Sequence, residues 1–114
     1  MRDFEWYNDD VRDTLRGWPE DVRADLGHQI RDIQNGGFPG AAKWWRGAGT
    51  GVIQLKSKGY RSVVTIAIQN VVYVVHVFEK DAAKGSATRK VHKETVKKRV
   101  ADLIRRFPAP PTSH

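Results

Sequence analysis

"VIQLKSKGYRSVVTIAIQNVVYVVHVFE", residues Val52–Glu79, decides the fold. It is rich in β-branched and aromatic residues and is interrupted twice by turn-forming pairs, Lys58-Gly59 and Gln69-Asn70. The pattern predicts strands at Val52–Ser57, Tyr60–Ile68 and Val71–Glu79, joined by two-residue turns into an antiparallel meander. With Gln69-Asn70 as such a turn, Ile68 faces Val71, so Arg61 faces Phe78 and Val63 faces His76. The Lys58-Gly59 turn likewise sets Lys56 opposite Arg61. Side chains alternate along a strand, so Lys56, Arg61, His76, Phe78 and Lys80 are expected on one face. Leu55, Tyr60, Val64, Ile66, Val75 and Val77 are expected on the other. The second face reads as a core, and the first as an open face with a cationic end.

Upstream of the meander, a short strand is expected over Arg2–Trp6. Asn8, Asp9 and Asp10 then favour a helix start, and Val11, Leu15 and Trp18 recur at helical spacing. That helix ends near Gly17. Pro19, Glu20 and Asp21 suit a second start, Val22, Leu26, Ile30 and Ile33 form one apolar stripe, and Asn35-Gly36-Gly37 stops it. The two helices are expected as a hairpin packed on the sheet. Downstream, Thr88 opens a last helix to about Phe107, with Val96, Val100, Leu103 and Phe107 apolar and lysines and arginines around them. The element order β, α, α, β, β, β, α is that of an α+β fold. Residues 1–107 form one domain, and Pro108–His114 reads as a flexible tail.

The chain has 114 residues, a single-core size, and a formal net charge of +7. That charge is unevenly placed. Residues 1–40 hold five Lys/Arg against nine Asp/Glu, and residues 41–114 hold fifteen against four. A basic field of this kind attracts polyanions and makes nucleic acid the leading partner class. No apolar run is long enough to cross a bilayer, and Met1-Arg2-Asp3-Phe4-Glu5 does not open a signal peptide, so a cytoplasmic protein without membrane partners is expected. Cysteine is absent, which excludes disulfides and thiol catalysis. The four histidines lack ligand-like spacing with acids; neither a metal nor another cofactor is expected.

The stretch from Ala41 to Thr88 resembles the phage-derived HigB-like toxins of the RelE/ParE superfamily, whose pattern runs Lys-Pro-Leu-x-Gly-x-Gly, Gly-Val-x-Glu-Leu-Arg, Tyr-Arg, then an apolar strand and Leu-His-x-Phe-x-Lys-Lys. Here the pieces stand as Lys43-Trp44-Trp45-Arg46-Gly47-Ala48-Gly49, Gly51-Val52-Ile53-Gln54-Leu55-Lys56, Tyr60-Arg61, and Val75-His76-Val77-Phe78-Glu79-Lys80. Gln54 and Lys56 replace the usual Glu and Arg, Asp81 stands where a second lysine is common, and Arg89 where a proline often starts the final helix. The resemblance implies a RelE-like fold. It further implies a toxin that cuts messenger RNA on the ribosome, with a helix-turn-helix antitoxin as partner in a hetero-oligomer.

Metal-free RNA cleavage needs a group to take the 2′-hydroxyl proton, one to neutralise the pentacoordinate phosphate, and one to protonate the leaving oxygen. Arg61, always cationic, is the expected charge stabiliser. Lys56 and Lys80 are expected to clamp the backbone, one of them exchanging a proton, and His76 and His92 are further proton-transfer candidates. Lys43, Arg46, Lys58, Lys84 and Lys90 are expected on phosphates. Trp44 and Trp45 are expected to divide, one ring capping the core and the other outside, where stacking on an unpaired base is worth roughly 1–3 kcal/mol. Two other function classes fit the same residues: a gyrase poison of the same superfamily, and a non-catalytic nucleic-acid-binding phage protein.

Overall fold

The computed structural model describes residues 1–80 and 85–108, with side chains described outside 85–88. The elements are β1 (Asp3–Trp6), α1 (Asp9–Arg16), α2 (Glu20–Gln34), β2 (Lys43–Trp44), β3 (Val52–Ser57), β4 (Tyr60–Thr65), β5 (Val71–Glu79) and α3 (Gly85–Arg106). Asn8 caps α1, its side-chain oxygen accepting from the Val11 amide at 2.9 Å, as a short polar side chain before a helix does. One five-stranded sheet forms in the order β1-β5-β4-β3-β2. The α+β class expected from the sequence holds, with two amendments: β2 is a strand that the expected order lacked, and the sheet is mixed. β1 pairs with β5 in parallel, while the other neighbours are antiparallel. The long connection between them, through α1, α2, β2, β3 and β4, permits this, since a parallel pair cannot be joined by a tight hairpin.

Helices α1 and α2 pack on one face of the sheet. Val22, Leu26 and Ile33 meet Ile53, Leu55, Val64, Val72 and Val74 there, nearly or fully sealed from solvent. Each such side chain contributes about 1.5–3 kcal/mol by leaving water. Gln29 of α2 donates to the Lys56 carbonyl at 2.9 Å and so ties the helix to β3.

The opposite face departs from expectation. It is not open: α3 lies across it, and Val96, Val100 and Leu103 bury a second core with Trp45, Ala48, Val52, Val63 and Val75. A sheet strand buried on both faces reads as a continuous apolar run, and Val71–Val75 has that character. Gly49 allows the β2–β3 loop to reach this layer. Its φ of +121° suits glycine, and an added Cβ would lie 3.2 Å from the Val100 Cβ.

Val75 was expected beside Leu55 and Val64, and lies instead on the α3 face. The cause is a β-bulge: Val63 pairs with His76 but Val64 pairs with Val74, leaving Val75 as the extra residue. The bulge also shifts the far end of the hairpin. β4 stops at Thr65 rather than Ile68, and the connection to β5 closes through the Val71 amide donating to the Ile68 carbonyl at 3.2 Å, with Asn70 at φ 63°. Phe107, expected in the apolar stripe of the last helix, is 48% exposed and only leans on Tyr73.

A polar cluster fastens Tyr7, the residue after β1, to the far end of α3. The Tyr7 hydroxyl donates to Asp102 at 2.8 Å, Arg106 donates to the same carboxylate, and the guanidinium groups of Arg99 and Arg106 lie 5.1 and 5.3 Å from the Tyr7 ring centre. Arg106 first, then Tyr7, holds the Asp102 carboxyl below the usual carboxylate range. Burial, then Asp102, raises the Tyr7 phenol.

Candidate functional site

Two cross-strand rows lie on the α3 face. In the first, Lys56 pairs with Arg61 and Arg61 with Phe78, as the turn reading requires. In the second, Lys43 pairs with Gln54, Gln54 with Val63 and Val63 with His76. The β3–β4 turn holds the first row in place, with Lys58 at φ 55° followed by Gly59, and the Lys80 amide donating to the Gly59 carbonyl at 2.7 Å. Lys56 and Lys80 are exposed and Arg61 is half-buried. Arg61 Nη1 donates to the carbonyls of Lys58 at 2.8 Å and Tyr60 at 3.0 Å, and burial pulls its proton affinity down. It remains a cation, because guanidinium does not deprotonate in proteins.

Aromatic rings floor this region. His92 of α3 stacks on Phe78 with 4.0 Å between ring centres and 13° between planes, and Phe78 lies 6.2 Å from Trp45. Lys93 Nζ is 5.8 Å above the Trp45 ring. His76 Nε2 meets His92 Nδ1 at 2.8 Å. On the far side of His76, Arg99 Nη1 reaches Nδ1 at 3.4 Å and donates to the Val75 carbonyl at 2.7 Å. The structure thus gathers Lys56, Arg61, His76, His92 and Trp45 at one end of the α3 face, with Lys80 beside the turn and Lys43 at the outer strand.

Other residues named from the sequence are elsewhere. The tryptophan pair divides as expected: Trp45 is buried, while Trp44, one residue back on β2, projects from the opposite face and stacks on Phe38 at 5.4 Å. Lys58 turns toward α2 and forms an ion pair with Asp21, which raises the lysine and lowers the carboxyl. Arg46 and Lys90 are exposed, in the loop after β2 and on α3. Lys84 lies outside the described residues. Arg99 and Lys93 were not singled out from the sequence. The His92–Arg99 interval of seven residues, two helical turns, places both on one side of α3, but that spacing acquires meaning only when His76 is known to face it.

His76 gives this region a pH signature. Burial chiefly, then the charges of His92 and Arg99, hold it down to about 4 from its ordinary 6.5. Burial lowers His92 as well. Because the unfolded chain binds the His76 proton more readily, stability rises with pH between about 4 and 6.5 and falls on acidification through that window. The expected loss is on the order of 2 kcal/mol after allowing for partial solvent contact. Denaturant titrations at pH 7 and 4.5 measure it, and His76→Gln is expected to flatten the slope. The contributions of Asp21 and Asp102 disappear only at lower pH, as their depressed carboxyls take up protons.

Among the described residues, no helix is long and apolar enough to cross a membrane. No curated protein matches the chain. The crystal structure of the isolated E. coli RelE toxin superposes with a TM-score of 0.61 at 18% identity, over 80% of this chain and 99% of that one. Residues 13–101 match the family described as "Phage derived protein Gp49-like (DUF891)". The resemblance seen in the sequence thus holds at both levels, and the chain belongs to the Gp49-like family of phage-derived proteins, on a RelE-type fold.

Proposed function

We propose that this chain is the toxin of a type II toxin–antitoxin pair, an endoribonuclease that cuts messenger RNA on the ribosome without a metal. The observation that carries the reading is the row Lys56–Arg61–Phe78 beside the half-buried His92 ring stacked on Phe78. Cations at the rim of an aromatic floor suit an unpaired strand, whose bases stack while its phosphates meet charge.

In the reaction, the ribose 2′-oxygen attacks the adjacent phosphorus, the P–O5′ bond breaks, and a 2′,3′-cyclic phosphate and a 5′-hydroxyl end result. Arg61 stabilises the extra negative charge of the pentacoordinate state. Lys56 and Lys80 hold the phosphate, one accepting the 2′-hydroxyl proton and the other supplying a proton to the leaving oxygen. His76, bonded on both sides, holds His92 rather than carrying protons itself. Lys43 and Arg46 extend the phosphate track toward β2. The partner is a helix-turn-helix antitoxin that masks this surface.

Inducing the chain in cells and mapping RNA ends tests the reading. Growth arrest with new 5′-hydroxyl messenger ends, phased to codons and lost in Arg61→Ala, is the expected result. Arrest with DNA damage and intact messenger would assign the chain to gyrase poisoning instead. Neither effect would leave nucleic-acid binding without catalysis.

A further inference from the structure

Arg99 is two turns along α3 from His92, and its guanidinium offers only donors. It donates to the Val75 carbonyl at 2.7 Å and meets His76 Nδ1 at 3.4 Å. Facing a donor, Nδ1 of neutral His76 must be the acceptor, which puts the ring proton on Nε2. That nitrogen lies 2.8 Å from His92 Nδ1. His92 Nδ1 is then also an acceptor, and its own proton falls on Nε2. Phe78, stacked on His92 at 4.0 Å, opposes the ring flip that would turn Cδ2 instead of Nδ1 toward His76.

We propose that Arg99 is a positioning residue: it imposes a one-way hydrogen-bond relay, Arg99 to His76 to His92, that leaves His92 Nε2–H as an uncharged donor for a phosphate oxygen of a single-stranded RNA. The phosphate assignment rests on the nuclease reading above; the relay does not.

Protonation is opposed at each step. A proton on His76 Nδ1 meets the Arg99 donor, and one on His92 Nδ1 meets the His76 N–H. The surrounding charges act in the same sense. Lys93 follows His92 on α3, Arg61 and Lys56 occupy the neighbouring row of the sheet, and Lys43 lies at the end of the His76 row. Among the described residues no carboxylate bonds either ring. The lowered proton affinities of both histidines agree with this arrangement. An uncharged donor keeps its hydrogen bond across the neutral pH range, which an imidazolium of ordinary affinity does not.

The test is long-range ¹H–¹⁵N correlation NMR of the full chain labelled in its histidine rings, which reads each tautomer directly. Wild type is expected to show Nε2–H and bare Nδ1 on both His76 and His92 at pH 7. A protonated Nδ1 on either ring overturns the relay, and this measurement needs no variant. Arg99→Met is expected to yield mixed tautomers at His76. Arg99→Lys keeps the charge but not the planar donors; wild-type tautomers in that variant would show that charge alone sets them and would overturn the positioning role. A 2′-O-methylated RNA oligomer, which cannot be cleaved, is expected to shift the His92 Nε2 resonance, and no shift there overturns the phosphate contact. Wild-type tautomers as expected without RNA cleavage in any assay would sink the nuclease reading and leave the relay standing. Cleavage with reversed tautomers would do the opposite.

Discussion

Replacing Arg61 by alanine is expected to lower messenger cleavage by about 10²–10³-fold, the scale seen when one preorganised donor to a developing charge is removed. Arg61 is the half-buried cation of its row, flanked by Lys56 on one side and Phe78 on the other. Its desolvation makes its charge count for more than that of an exposed lysine. Arg61→Lys is expected to recover only part of the rate, because an ammonium lacks the planar fork. The substitution also removes the donations to the Lys58 and Tyr60 carbonyls, at about 1 kcal/mol each. Circular dichroism and the unfolding midpoint therefore accompany the rate measurement: a cleavage loss with a midpoint shift of that small size assigns the effect to chemistry. Undiminished cleavage in a folded Arg61→Ala protein would remove Arg61 from the site.

Trp45→Ala and Trp44→Ala are expected to differ sharply, although the residues are adjacent. Trp45 is 7% exposed, closes the second core and carries Lys93 over its ring; its truncation is expected to cost about 3–5 kcal/mol. For a chain of this size that corresponds to roughly 12–20 °C in midpoint. Trp44 is 53% exposed and touches chiefly Phe38, so its loss is expected to cost under about 1 kcal/mol. Equal destabilisation by both would contradict the assignment of the two rings to opposite faces. Loss of cleavage in the stable Trp44→Ala variant would bring that face into RNA recognition.

The hairpin from Val52 to Glu79 was legible because its determinants are local. Lys58-Gly59 supplies the turn, β-branched residues supply the strands, and alternation then sets Lys56 opposite Arg61 and Arg61 opposite Phe78. The candidate site was half legible for the same reason: its sheet residues follow from one register. Its helical residues do not. His92 stood out as a proton-transfer candidate without a known partner, Lys93 looked like part of a polar ring around α3, and Arg99 carried no signal of its own.

By itself, the sequence determined the three helices, the strands other than β2, the α+β class, the cationic row and the division of the tryptophan pair, since each depends on spacing within a few residues. Only the tertiary structure decided that α3 covers the face read as open, that β1 adds in parallel, and that a bulge moves Val75 from one core to the other. These depend on packing between segments far apart in the chain. Val75 illustrates the reason: an apolar residue in an unbroken apolar run fits either face, and the bulge that chooses between them satisfies both cores at once.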